Sequence, residues 1–187
     1  MKKILFPAFG LFACILLSCG NKTNNTANPQ NKDYPVSWAG IDSLKLDMTK
    51  AELEKLLNTT LTFKHIKVDG GAADTLPVQY KNMDFVIYLE ESDSESVATL
   101  KGIRTENASC KTATGLGVGS DKINVIDSYP ENKQYVALEY EEYPVRSTTK
   151  SVVAVMDTAS TSLRAIQFHI INKKVVGVEV NSYYEFY

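Results

Sequence analysis

The chain has 187 residues, with 20 basic against 22 acidic side chains and a formal net charge of −2 at pH 7. That balance excludes the broad basic surface on which nucleic-acid binding rests. Cys14 and Cys19 lie near the start and leave Cys110 alone in the body of the chain, so no disulfide framework holds it together; a single domain of about 150 residues is large enough to be stabilised by burial instead.

In chain order, Lys2 and Lys3 precede an apolar run from Ile4 to Leu17, broken by Pro7 and Gly10. Its length is short for a membrane span and suits the core of a signal peptide. The run closes on Leu16-Leu17-Ser18-Cys19, which resembles the lipobox of bacterial lipoproteins. That resemblance implies cleavage after Ser18, a diacylglycerol thioether on Cys19 and a further acyl chain, such as palmitate, on the new amine. Two or more chains hold a protein stably to a bilayer where one does not. Gly20, not Asp, follows the cysteine, which in enteric sorting implies the outer membrane. The expected location is therefore the bacterial cell envelope, lipid-anchored at the outer membrane. Residues 1–18 are expected to be signal peptide, and 19–40 the lipidated cysteine and a flexible tether. Gly20 to Pro35, "GNKTNNTANPQNKDYP", has the composition of a disordered linker with a reach of about 20–25 Å.

The next signal is a helix. Thr49 is placed as N-cap with Glu52 closing a capping box, and Met48 and Leu53 form the matching hydrophobic staple. Leu53, Leu56 and Leu57 make one apolar stripe, and the helix should end near Asn58. The pattern of Ser43 to Leu57 returns, weakened, 72 residues later in "GLGVGSDKINVIDSY". Leu116 and Val118 stand for Leu44 and Leu46, Gly119 for Asp47, Val125 for Leu53 and Tyr129 for Leu57. Ser120 or Asp121 serves as cap, and Pro130 ends the helix. Period-2 apolar runs follow each helix: Phe85–Glu90 and Leu100–Asn107, then Gln134–Glu141, Ser151–Met156, Ala165–Ile171 and Lys174–Val180. Asn172-Lys173 reads as a two-residue hairpin, and Gly102 and Gly177 fall at matching points of the two final strands. "DGGAADT", Asp69 to Thr75, reads as a loop.

"LKLDMTKAELEKLL" and "TGLGVGSDKINVIDSYP", each followed by strands, resemble the helix–sheet unit of β-lactamase-inhibitor-protein-like modules, a unit that occurs singly in BamE/SmpA-type outer-membrane lipoproteins. The chain departs from their pattern at Asp47, where Gly is usual, and at Asn124, where Glu is usual. The expectation is an α+β fold of two tandem repeats, 41–110 and 111–187, each of short helices packed on an antiparallel sheet. The resemblance implies a non-catalytic binder that presents a sheet face to a protein partner.

Alternation assigns that face. Ile166, Phe168 and Ile170 point to the helices and Gln167 and His169 away. Phe85, Ile87 and Leu89 point inward, with Val86, Tyr88 and Glu90 outside. Tyr135 and Glu139 oppose Val136, Leu138 and Tyr140. The candidate partner-binding residues are Tyr88, Tyr135, Glu139, Gln167 and His169, aromatic and hydrogen-bonding side chains of the kind enriched at interfaces.

Other chemistry finds little footing. "GLGVGS" lacks the G-K-[ST] ending of a phosphate loop, and Asp121 puts negative charge where phosphate would sit. His65 and His169 have no metal-ligand spacing, with each other or with Cys110, and no metal or cofactor is expected. The expected function is a lipid-anchored envelope protein that binds a protein partner or assists envelope assembly, and is not an enzyme. A small-ligand binder with its pocket between the repeats is one alternative, and an enzyme using Cys110 and His169 is another.

Overall fold

The computed structural model describes residues 33–68, 71–92, 97–142, 144–159 and 163–182. The signal peptide, Cys19 and most of the expected tether lie outside those residues. The tether is shorter than expected at its far end. Tyr34–Ser37 forms strand β1, because Val36 is buried and Tyr34 N–H donates to Ser109 O at 2.8 Å.

β1 joins three short strands, β2 (Gly40–Ile41), β3 (Leu44–Lys45) and β8 (Cys110–Thr112), in a sheet ordered β3-β2-β1-β8. Its β1–β8 pair is parallel. The larger sheet has eight antiparallel strands. The first half supplies β4 (Ile66–Val68), β5 (Gly71–Tyr80), β6 (Met83–Ser92) and β7 (Thr99–Thr105). The second supplies β9 (Gln134–Glu142), β10 (Val145–Met156), β11 (Ala165–Ile171) and β12 (Lys174–Asn181). The order β4-β5-β6-β7-β12-β11-β10-β9 makes each half a meander, with the two last strands paired at the centre. Helices α1 (Lys50–Leu57) and α2 (Lys122–Asp127) precede the two meanders.

The expected α+β class, with two repeats of short helices packed on a sheet, is thereby corrected. Strand makes up 57% of the structure and helix 10%, in two helices and two sheets. The chain is mainly β. The shortfall in the sequence reading lies in segments too polar or too short to show a strand period. Gly71 to Thr75, expected as loop, is the start of β5 and pairs with β6 from Gly71–Ser92 onward. A Cβ on Gly71 would stand 1.9 Å from Glu91 O, so only glycine admits that pairing. Asp74 turns inward and is buried, but its carboxylate accepts from Lys64 N–H (2.9 Å) and Thr75 N–H (2.8 Å).

Local chemistry sets the helices. Around α1 the Thr49 side chain accepts from Glu52 N–H and the Glu52 carboxylate accepts from Thr49 N–H at 2.8 Å, the expected capping box. Asn58 ends the helix in the left-handed conformation at φ 52°. Asp121 caps α2 by backbone position alone, with its carboxylate turned to Lys174 at 3.0 Å, and Asn124 stands where a capping box needs Glu or Gln. Each helix buries one residue, Leu53 or Val125.

The entry to each helix is clasped to the last strand of its meander by the same backbone bonds. Asp47 N–H donates to Leu100 O (2.7 Å), Leu100 N–H to Met48 O (2.8 Å) and Lys50 N–H to Ala98 O (2.9 Å). In the second half Gly119 N–H donates to Val175 O (2.8 Å), Val175 N–H to Ser120 O (2.9 Å) and Lys122 N–H to Lys173 O (2.8 Å). The clasp needs a left-handed residue at its start, and the chain uses Gly119 at φ 91° and Asp47 at φ 67°. Asp is among the few side chains that tolerate this region. Here its carboxylate also bridges the halves, to Lys101 (2.8 Å) and to Arg164 (2.7 Å) of the β10–β11 connection. Burial opposes ionisation of Asp47, but those two cations outweigh it and hold the carboxyl below its ordinary value.

The hydrophobic core lies on the helix side of the large sheet. Phe85, Ile87, Leu89, Phe168 and Ile170 meet Ile41, Leu44, Leu53 and Val125 there. The two-residue hairpins at Lys81-Asn82 and Asn172-Lys173 have positive φ at both positions, the primed-turn geometry that suits twisted strands.

The unequal caps have a measurable consequence. Thr49→Ala is expected to destabilise the protein by about 1 kcal/mol in urea unfolding, whereas Asp121→Ala should stay within about 0.5 kcal/mol of the parent.

Candidate functional site

The face of the large sheet that bears no helix is the candidate site. Alternation along the strands places there every residue picked out from the sequence for partner contact. Tyr135 lies opposite Ala154, Ala154 opposite Gln167, Gln167 opposite Glu179, and Glu179 opposite Arg104. That is one row running across both halves. His169 lies opposite Gly177 and Tyr88 opposite Gly102. Both pairs sit at a bulge of the central strand opposite, where β7 carries the extra residue Lys101 and β12 the extra residue Val176. Bulges bend a strand and re-aim its side chains. The two rings therefore occupy corresponding places in the two halves, each next to a glycine on the neighbouring central strand.

Without a side chain at Gly102, the face has a shallow depression of about 260 Å³ lined by Thr75, Val86, Tyr88, Gly102, Ile103, Arg104 and Glu179. It has contributions from both halves of the chain.

Beside it lies a charged cluster. His169 is largely buried between two carboxylates, with Nε2 at 3.0 Å from Glu179 Oε2 and Nδ1 at 3.5 Å from Glu139 Oε1. Asn181 Nδ2 donates to the other Glu179 oxygen at 3.1 Å. Burial pushes the Glu179 carboxyl up. The hydrogen bond and charge of His169, the Asn181 amide and the Arg104 charge together outweigh burial and hold it below its ordinary value near 4.5. The stability that Glu179 contributes is thus fully present above about pH 4.5 and is lost as the pH falls through its lower folded value.

The structure joins Glu139 to His169 directly, and sets Gln167 in the row beside Glu179. Tyr88 meets that group across the depression, through Arg104 and Glu179. Tyr135 stands further out at the edge strand, with Lys133 Nζ 4.9 Å from its ring centre. Sequence reasoning missed Glu179, Arg104 and Asn181. Their signal lay in "KVVGVEV" and "LKGIRTEN", where Glu179 and Arg104 alternate with inward apolar residues. Only the pairing of β7 with β12 brings them together.

Cys110 and His169 are not brought together. The thiol is buried in the core, on the helix side of the sheet, and burial pushes it up to about 11 despite a hydrogen bond with Thr105. Thiolate is correspondingly scarce at neutral pH. Among the described residues no cluster of three or more His, Cys, Asp or Glu could hold a metal ion.

No family model, no curated protein and no solved structure matches this chain.

The geometry of the charged cluster is testable by carboxyl NMR. Glu179 should titrate below 4.5 in the parent protein. In His169→Ala its titration should move upward, because the burial remains and the chief hydrogen bond is gone; an unmoved titration would mean that the ring does not hold the carboxylate.

Proposed function

We propose that this protein is a lipid-anchored component of the bacterial cell envelope, held at the outer membrane through Cys19, that binds another protein without catalysis. The observation that carries the reading is the helix-free sheet face. Its centre, floored by Gly102, is lined by Tyr88, Val86, Arg104 and Glu179, with His169 held against Glu179. An aromatic, an arginine and partly buried hydrogen-bonding groups around a depression are what a protein interface supplies as anchors. The charges there are already paired and hydrogen-bonded, so a partner can cover them without stranding a buried ion.

The short basic start, the apolar run and Cys19 support the anchor. The resemblance of the two helix entries to β-lactamase-inhibitor-protein-like modules supports a binding rather than catalytic role. The separation of Cys110 from His169 favours this reading over a cysteine-dependent enzyme.

Photo-crosslinking in intact cells tests it. A photoreactive residue at Val86, exposed on this face, should give discrete adducts that fall at least about fivefold when Tyr88→Ala is added. The same probe at Lys55, on α1, should not give them. Equal labelling from both positions, or none from Val86, would remove the case for this face.

A further inference from the structure

The grooves beside the two helices differ in a way that points to a second partner site. In the first half the chain itself lines the groove between α1 and the sheet, leaving about 550 Å³ open. The segment 61–65 runs along it, with Leu61 buried, Phe63 packed on the core, and Thr62 and Lys64 exposed. Two carboxylates grip its backbone. Leu61 N–H donates to Glu54 Oε1 (2.8 Å), and Lys64 N–H donates to Asp74 Oδ2 (2.9 Å). Lys50 pairs with Glu54 at 2.6 Å.

In the second half, among the described residues, Leu138 of β9 lines the groove in place of such a segment. α2 ends at Asp127, and the chain enters β9 at Gln134. A groove of about 660 Å³ stays open beside α2. Ile123 and Leu138 stand on its walls, 58% and 43% exposed, with Ile126 and Ile170 deeper in. Leu138 is on the inward face, as its alternation requires, but no described segment lies over it. Such apolar exposure on a groove wall needs an occupant.

The charge of the groove says what the occupant brings. Ile126 stands where Glu54 stands in the first half. Ser151, buried opposite Ile170, stands where Asp74 is buried opposite Leu89. Both gripping carboxylates are gone, Lys122 keeps the place of Lys50, and Lys150 and Lys173 stand where the first half has Ala73 and Ala98. Lys122 reaches only the Ser151 hydroxyl, at 3.1 Å. Lys150 and Lys173 line the groove with no ion-pair partner among the described residues. Asp121, the acid in the lining, is paired with Lys174 at 3.0 Å.

We propose that the groove beside α2 docks an extended, acidic segment of another protein, carrying two apolar side chains two residues apart. The segment 61–65 is the internal precedent for such a ligand: alternate residues enter the groove and the others face water. Apolar anchors would supply most of the affinity, and acids meeting Lys150 and Lys173 would supply selection and speed of encounter. This surface lies on the opposite side of the sheet from the face assigned above, and goes beyond that assignment.

The test uses the whole chain purified in detergent, with empty micelles as blank. The probe is a fluorescent peptide of residues 60–66 carrying Lys64→Glu and His65→Glu. Anisotropy should show saturable binding. Leu138→Glu should weaken it at least about tenfold, and so should Ile123→Glu, a second wall position, should the first variant fold poorly. Lys150→Glu with Lys173→Glu should weaken it at least about fivefold, a difference that shrinks in about 1 M salt. The peptide with Lys64 and His65 intact should bind at least about fivefold more weakly, and His169→Ala should leave binding unchanged. Absence of saturable binding at about millimolar peptide, equal affinity for the wall variants, or uptake of a fluorescent fatty acid with rejection of the peptide would each overturn the proposal.

Discussion

The antiparallel seam between β7 and β12 is the constraint on which the rest depends. Thr105 pairs with Val178, Arg104 with Glu179, Ile103 with Val180 and Gly102 with Asn181. Ile103 and Val180 are fully buried on one side of the seam, while Arg104 and Glu179 meet on the other. One register therefore sets both the core and the candidate face. A slip of one residue would carry Ile103 and Val180 out of the core and the charged pair into it. Each helix is tied to the same two strands by its backbone clasp, so the helices are placed by the seam and not by their own stability, which in pieces of eight and six residues would be slight.

Similar halves do not yield equal halves. In the first, the connection after α1 lines the groove and is gripped by Glu54 and Asp74. In the second, Leu138 and Ile123 stand exposed on the groove walls, and neutral residues take the places of the two acids. Asp47 shows the same economy. It accepts the left-handed conformation that glycine takes at position 119, and in exchange holds Lys101 and Arg164. Divergence between the halves has left the two grooves with walls of different composition and charge.

Much of this was legible in the sequence where a signal is local. The Thr49–Glu52 box, the leucine stripe of α1, the hairpin at Asn172-Lys173 and the inward and outward sets of β6 and β11 all follow from short-range rules. What escaped depends on distant chain. Gly71 to Thr75 has no strand composition and becomes strand because β6 lies beside it. Tyr34–Ser37 looks like linker and becomes strand because Ser109 and Cys110 receive it from the far side of the sequence. These strands turned an expected α+β class into a mainly β one. Of the candidate site, alternation found Tyr88, Gln167 and His169, but Glu179 and Arg104 required the seam. Alternation also set Val136 and Leu138 inward, and could not show that no described segment would cover them.

Native-state hydrogen exchange tests the central claim most directly. If the seam makes one cooperative unit, the ladder amides of β6 and β7 and those of β11 and β12 should exchange through a single opening, with one free energy and one denaturant slope. Two separate sets of values, with β6 and β7 opening while β11 and β12 stay closed or the reverse, would show the halves to be independent and would contradict the account.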